Sequence, residues 1–580
     1  MSPNIIMSNS QLAQIFTRIA DLLEIKGELV FKILAYRKAA DTFNELDRSV
    51  YDIWQEGKLQ EVPGVGKAIA EKVDELLTTG HLGFLERLTQ EVPVSLVDLL
   101  RVPDVGPKKV ALFWKQAGIT TLDELASAAK AGTLRSLPGM GEKSEQKIIA
   151  GLEALARQSG RIPVSKAWLI YENLSAQLSK LPGVEKVASA GSLRRRRDTV
   201  GDLDILVASR QPEIAMEAFV NLPEVVRIIG HGEVKSSVEF SNGVRAQLWV
   251  NQPERFGTAL QYATGSKDHN VRLRELALKC GLSLSEHALT RADGTEILCS
   301  TEEEVYAALG LPWIPPELRE DKGEVQAAQV GQLPALVRGE DMIAELHTHS
   351  NWSDGKLTIA QMATEAVRRG LKILAITDHS TGMGITGGLS VENIAQQRQE
   401  MDALQAEVGD KLLLLQGSEV EIMANGDLAF PDDVLSQFDI VIASLHISLR
   451  QPSEKVTARL LNAVRNPHVD IIGHPTGRLI PDREGADLDM EAVMQAAAQS
   501  GVALEINAHP ARLDLDDINS RRAIALGIPL TINTDAHSAS DLDLRHFGLG
   551  IARRSWATPE HVINTWSKER LLKWLKDRHA

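Results

Sequence analysis

From residue 343 onward, short apolar runs alternate with helical stretches, and a histidine or an acid closes nearly every run. The runs are IAEL before His347, ILAIT before Asp378 and His379, LLLL before Glu419, IVIASL before His446, DIIG before His474 and IPLTIN before Asp535, with VALEIN (502–507) as a seventh. Short β-branched runs bounded by turn signals read as buried parallel strands. Helical patterns separate them at 359–370, 490–501 and 518–527, so the spacing predicts a repeated βα unit and a closed barrel related to the eight-stranded kind. In such barrels the active site gathers at the carboxyl ends of the strands. His347, His349, Asp354, His379, Glu419, His446, His474, Asp535 and His537 all fall there.

Imidazole suits zinc, manganese or iron, carboxylate oxygen suits harder ions, and a mixed set suits several metals held close together. Such a cluster is equipped for phosphate-ester hydrolysis. One histidine alone is more often a core or surface group, but this set opens with HTH, closes with DAH and recurs at successive strand ends. The segments HTHSNWSDG (347–355), TDHS (377–380), GSEVEI (417–422), SLH (444–446), GHPTGR (473–478) and NTDAHS (533–538) closely resemble the PHP phosphoesterase family. That resemblance implies a distorted (β/α)7 barrel with a trinuclear site of Mn2+, Zn2+ or Fe, filled by the nine residues just named. Two departures are peripheral: Glu345 stands where an Asp is common, and NGDLAF (425–430) lacks a second acid after its Leu.

The chain is longer than one barrel needs. Its 580 residues and 43% hydrophobic content predict several packed domains. A net charge of -15 argues against a uniformly basic nucleic-acid binder, so DNA contact must run through local patches. Two cysteines, Cys280 and Cys299, imply no disulfide framework and suit a reducing cytoplasm. The start MSPNIIMSNSQ lacks the basic and apolar regions of a leader, and no run approaches a membrane span. A cytoplasmic monomer is the expectation.

The first 155 residues repeat one signal: VPGVGKAIAEKV (62–73), VPDVGPKKVALF (102–113) and LPGMGEKSEQKI (137–148). Each is a helix-hairpin-helix pattern in which glycine lets a turn approach a phosphate and exposed amides at the next helix bind it without reading sequence. The expected DNA-binding positions are Gly64, Gly66, Gly106, Gly139 and Gly141. LAYRKAADTF (34–43) followed by residues 59–88 resembles the amino-terminal lyase domain of DNA polymerase beta. By that resemblance Lys72 takes the place of the Schiff-base nucleophile, and Lys32 and Lys38 lie at positions of a 5'-phosphate pocket, while His81 and Phe84 stand where the animal enzyme has lysines.

In the middle of the chain, VASAGSLRRRRDTVGDLDILV (187–207) ends in a strand whose alternation puts Asp202 and Asp204 on one face, suited to two magnesium or manganese ions. Gly191 and Ser192 open a turn suited to phosphates, and Arg195 adds charge for a triphosphate. Gly-Ser followed by Asp-x-Asp marks nucleotidyltransferases at large; with YATGSKDHNVRLR (262–274) the match narrows to family X DNA polymerases. The chain as a whole therefore resembles a bacterial family X DNA polymerase with a C-terminal PHP domain. That resemblance implies that Gly191, Ser192, Arg195, Gly201, Asn270 and Arg274 face nucleotide or template and that Tyr262 and Gly265 line the sugar pocket, with Ala263 replacing the usual Phe. It also implies deoxynucleoside triphosphates and gapped or nicked DNA as partners.

One departure carries a consequence. The family's third carboxylate sits in a pattern like VDLRV, and here the segment reads RAQLWV (245–250), with Gln247 in the acid's place. An amide lacks the charge and the basicity, so templated synthesis is expected to be weak. A two-residue Asn242-Gly243 turn would pair Glu239 with Ala246 and put Glu239 on the face opposite Gln247.

The expected architecture is a helical lyase-like domain (1–90), a second helix-hairpin-helix domain (91–155), an α+β nucleotidyltransferase palm with its nucleotide-side subdomain (156–315), a proline-bearing surface linker (316–338) and the PHP barrel (339–580). Three functions fit: a repair enzyme whose polymerase core fills short gaps and whose barrel trims 3' ends or cuts at abasic sites, a nuclease with a non-polymerising polymerase core, or a phosphatase acting on a small monoester.

Overall fold

The computed structural model describes residues 7, 9–46, 50–159, 161–380 and 388–579; residues 1–6 and 8, where the absence of a leader was read, lie outside them. Two compact units result, one ending at Gly160 and the other beginning at Arg161.

The first unit is all helical. Its apolar residues from Leu12 to Ile148 form a single cluster, with Phe16 and Phe43 edge to face at 5.2 Å, so both hairpin segments share one core. In each hairpin turn one residue adopts the left-handed conformation that glycine accepts at no steric cost. These are Gly64 (φ 83°), Asp104 (φ 65°) and Gly139 (φ 74°). The helices Lys67–Thr79 and Pro107–Ala117 begin at the extended residues Gly66 and Gly106, and the Gly141 carbonyl accepts the amide of Glu145 in the third.

The second unit opens with a five-stranded sheet. Its strands are β1 (Val184–Ser189), β2 (Asp202–Ser209), β3 (Val225–His231), β4 (Lys235–Phe240) and β5 (Arg245–Asn251), in the order β1-β2-β5-β4-β3. Strands β2 and β5 run parallel, in a register that sets Asp202 beside Arg245 and Asp204 beside Gln247. The β4–β5 hairpin departs from the expected one. Phe240 and Val244 close a three-residue loop, Ser241-Asn242-Gly243, with Gly243 at φ 78°, rather than the two-residue turn that Asn-Gly suggests. One extra loop residue shifts the pairing, so Glu239 faces Arg245 and lies on the same face as Gln247. The expectation that Glu239 points the other way is thereby overturned.

Residues 316–338, expected on the surface, are packed. Leu318, Val325, Ala328 and Leu336 join a core with Leu273, Val305 and Tyr306. The charges that read as solvated are satisfied inside. Fully buried Arg319 donates to Glu302 at 2.6 and 3.1 Å, and Glu324 takes the His269 ring at 2.6 Å while Tyr306 meets the other ring nitrogen at 2.9 Å. Burial disfavours the charged form of Glu302, but Arg319 and Arg194 outweigh it and hold this carboxyl well below the usual range.

The barrel follows as β6 (Ala344–Glu345), β7 (Ile373–Ile376), β8 (Leu413–Glu421), β9 (Ile440–Ser444), β10 (Ile471–Gly473), β11 (Ala503–Asn507) and β12 (Leu530–Asn533). All neighbours are parallel and in sequence order. Just past the strand ends, a parallel bridge between Thr348 and Ala536 joins the first strand's extension to the last's. Nearly every strand residue is buried, as a sheet covered on both faces requires. Among the described residues no helix is long and apolar enough to cross a membrane.

Candidate active sites

The nine expected residues converge at the carboxyl side of the barrel, most of them past a strand end and Glu419 inside β8. Glu419, fully buried, is the centre. His474 Nε2 lies 2.9 Å and His446 Nε2 3.3 Å from its Oε1, and His379 Nδ1, His347 Nε2 and His349 Nε2 lie 3.0, 3.3 and 3.5 Å from its Oε2. Asp535 stands 3.1 Å from His349, and Asp354 stands 3.1 Å from His537 and 3.6 Å from His379. Three groups of side chains have atoms close enough to hold an ion: His349, Asp354, His379 and His537; His347, His349, Glu419 and Asp535; and His379, Glu419 and His446. His349, His379 and Glu419 each belong to two groups.

The donor set fits divalent metal. Among the described residues, His347 Nε2, both ring nitrogens of His349, His379 Nδ1, His474 Nδ1 and Glu419 Oε2 are buried with no hydrogen-bond partner. Leaving such groups unsatisfied costs about 1–3 kcal/mol each, a cost that bound ions would remove for those atoms that face the three groups. Protons compete for the same atoms. Burial opposes charge on His446, but Glu419 and Glu421 push it up to about 10, and against the same burial Asp354 pushes His537 up to about 9.

An outer layer that the sequence did not single out as functional aims these rings. Glu505 meets His347 Nδ1 at 2.8 Å and accepts the His474 amide at 2.7 Å. Glu421 meets His446 Nδ1 at 2.7 Å, and Asn507 donates to Asp535 at 3.1 Å. Asp378 accepts from the Ser350 amide and from the side chains of Ser350, Ser353 and Gln397, all at 2.6–2.7 Å. Glu345 accepts from Thr534, and burial pushes its carboxyl up to about 7. The available signal was an acid inside an apolar run: Glu505 in VALEIN, and Glu421 two residues past Glu419 in GSEVEI.

The palm holds a second site. Gly191, Ser192, Arg195, Asp204, Tyr262, Gly265, Asn270 and Arg274 line one cleft of about 340 Å³ together with Ala263 and Lys267. Lys267 was not singled out by sequence. Gly201 is not among the lining residues; it lies against Arg161. Gly191, at φ 58°, admits no side chain, because an added Cβ would sit 2.2 Å from Asp204 Oδ2. Arg195 donates to the Thr264 carbonyl at 2.6 Å, and Asn270 bridges Gln261 and the Tyr262 carbonyl at 2.8 Å each. Burial, with the Asp202 charge adding to it, pushes Asp204 up to about 6. Beside Asp204 the third acid's place holds Gln247. Glu239 shares that face but stands two strands from Asp202, roughly 10 Å away, with Arg245 between them.

In the helical unit Lys72 lies 5.9 Å from the Tyr36 ring and 5.1 Å from the Phe84 ring, with its Nζ on the Ala68 carbonyl at 3.1 Å. Lys32 lies 5.6 Å from Phe84. Lys38 packs beneath the first hairpin turn, its Cγ 3.0 Å from where a Gly64 Cβ would be.

Comparison with known proteins places these sites in a family. The chain is 38% identical over 575 residues to the DNA polymerase/3'-5' exonuclease PolX of Bacillus subtilis (strain 168), covering 98% of this chain and 100% of that protein. The chain belongs to the PolX family. Its parts match the family models for a helix-hairpin-helix domain (7–82), a SAM-like helix-hairpin-helix tandem (96–154), a DNA polymerase beta thumb (259–320) and a PHP domain (345–509). DNA polymerase lambda of Rattus norvegicus is 28% identical over 333 residues, 52% of this chain and 54% of the rat protein. A probable phosphatase of Thermoanaerobacter sp. (strain X514) is 30% identical over 236 residues, 39% of this chain and 91% of that protein.

Two outcomes are expected. Glu505→Gln should weaken metal retention by the barrel about 10–100-fold, measured by metal analysis after dialysis; unchanged retention would mean Glu505 does not orient His347. In the palm a proton on Asp204 excludes a cation, so the Mn2+ binding that Asp204→Asn removes should weaken as pH falls through about 6. Binding that stays level through that range would contradict the buried-carboxylate account.

Proposed function

We propose that this chain is a DNA-processing enzyme whose barrel hydrolyses phosphodiesters at DNA 3' ends, and whose palm binds nucleotide and gapped or nicked DNA but synthesises weakly. One contrast carries the reading: the barrel's nine side chains are all present and five of them lie no further than 3.5 Å from Glu419, whereas the palm has Gln247 in register with Asp204. The Bacillus subtilis relative bears both activities in its name.

The barrel residues would hold Mn2+, Zn2+ or Fe, and Asp202 and Asp204 would hold Mg2+ or Mn2+. Bound divalent ions would polarise the phosphate ester and stabilise the charge that develops on its oxygens. The chain's own groups set the stage for this. Glu419 and Asp535 supply the negative charge that gathers cations, Glu505 and Glu421 fix two rings by their Nδ1 atoms, and burial keeps water from the unpaired nitrogens. In the palm, Ser192, Arg195 and Lys267 offer hydrogen bonds and positive charge to a triphosphate. The hairpin turns at Gly64, Gly66, Gly106, Gly139 and Gly141 offer amides to the DNA backbone. Asp104 weakens the second turn by placing a carboxylate near the phosphate path, held by Lys147 at 3.3 Å. The Lys72 amine lies against the Tyr36 and Phe84 rings, and Lys32 reaches the same Phe84 ring.

A phosphatase acting on a small monoester is the second reading, favoured by the barrel's likeness to a probable phosphatase; three hairpins built for DNA have no use in it. With a 5'-labelled primer in a one-nucleotide gap, the wild-type chain should shorten the primer and extend it poorly. Glu419→Gln should lose the shortening, and Gln247→Asp should raise extension by orders of magnitude. Robust extension by the wild type, or turnover of a phosphate monoester far exceeding that of DNA 3' ends, would overturn this assignment.

A further inference from the structure

The palm loop that lines the nucleotide cleft also touches the barrel at three points within four residues. Arg195 faces the cleft, with its Nε 3.0 Å from Glu320 Oε1. That same oxygen takes Arg554 Nη1 at 2.9 Å, and Arg554 Nη1 also donates to the Arg195 carbonyl at 2.9 Å. Arg554 is almost wholly buried and ends the helix Arg545–Arg554. This helix is pressed onto the barrel, since a Cβ at Gly548 would lie 2.7 Å from Ala508 and 2.8 Å from Ile532. The next loop residue, Arg196, has left-handed backbone (φ 57°) and packs where a Gly550 side chain would be, 2.9 Å from its would-be Cβ.

The third contact leads to the metal cluster. Asp198 lies 3.5 Å from Arg478 of the barrel. Arg478 donates to the carbonyls of Arg512, at 2.8 Å, and Leu513. Arg512 in turn stands 3.7 Å from Asp535. Few side chains separate the nucleotide cleft from a metal-facing carboxylate.

We propose that a deoxynucleoside triphosphate bound in the palm acts as an effector that slows hydrolysis in the barrel, through the Arg195–Asp198 loop. This rests on reading the palm cleft as a nucleotide site. A triphosphate is a stronger partner for Arg195 than the Glu320 carboxylate and the Thr264 carbonyl that hold it, because charge-assisted bonds to several oxygens replace one ion pair and one neutral acceptor. Drawing Arg195 away leaves Glu320 to Arg554 alone and displaces a loop whose next residues are wedged against the barrel. The displacement passes through Asp198 and Arg478 to the Arg512–Leu513 backbone and to the position of Asp535. A misplacement of about 1 Å at a reacting centre lowers rate by about a hundredfold, so a fraction of that shift suffices. With Gln247 limiting synthesis, the nucleotide is held as a ligand rather than consumed.

The test uses the full chain, free Mn2+ held constant, and the p-nitrophenyl ester of thymidine 5'-monophosphate, a phosphodiester small enough to need no DNA contact. A non-hydrolysable deoxynucleoside α,β-imidotriphosphate is added, and its binding is measured separately with a fluorescent analogue. Saturating nucleotide should lower kcat about fivefold with little change in KM, which separates coupling from competition in the barrel. Asp198→Asn and Glu320→Gln should still bind nucleotide and hydrolyse the ester, but should lose the response. Nucleotide that binds while kcat stays level or rises overturns the coupling, as does a response that survives in both variants. No binding at all overturns the cleft reading, and the coupling with it.

Discussion

One buried carboxylate organises the catalytic half of this molecule. Five histidines from four strand ends close on Glu419 within 2.9–3.5 Å. The barrel's topology makes the convergence possible, because parallel strands in sequence order all end on one rim. The acids behind the rings then fix which nitrogen points inward. Removing Glu419 would leave the histidines without the charge that draws cations, while Glu505 and Glu421 would still be holding them in place.

The palm illustrates the opposite condition, a site whose frame persists while one group has changed. Gly191 still makes room for Asp204, and Arg195, Asn270 and Arg274 still line the cleft. The strand register puts an amide where a third charge is needed, and the acid on the neighbouring strand is separated from the pair by Arg245. In the proposed reading binding and chemistry are therefore separable, since the cleft walls would hold the nucleotide and the acids on β2 its metal ions.

The barrel's order and its ligand set could be read from sequence because most of the ligands lie at or just past the end of an apolar run, where a side chain reaches the rim; Glu419 does so from inside β8. Glu505 was harder, since an acid inside a buried run carries no sign of the ring it will meet across the barrel, and Asp378, which follows its run, carries no sign of the serines and glutamine it will meet. The hairpin after β4 misled because Asn242-Gly243 is the dipeptide of a two-residue turn; including Ser241 in the loop reversed the face of Glu239. Residues 316–338 misled because Arg319 and Glu324 look solvated along the chain, and their partners Glu302 and His269 are distant in sequence. Gly201 followed its motif but not the cleft.

The most direct test of the account is an anomalous difference map from crystals of the protein grown with Mn2+. Three peaks are expected within the barrel rim, matching the three side-chain groups, with Glu419 touching more than one. A single peak, or peaks removed from Glu419, would contradict the claim that this carboxylate gathers a multinuclear centre.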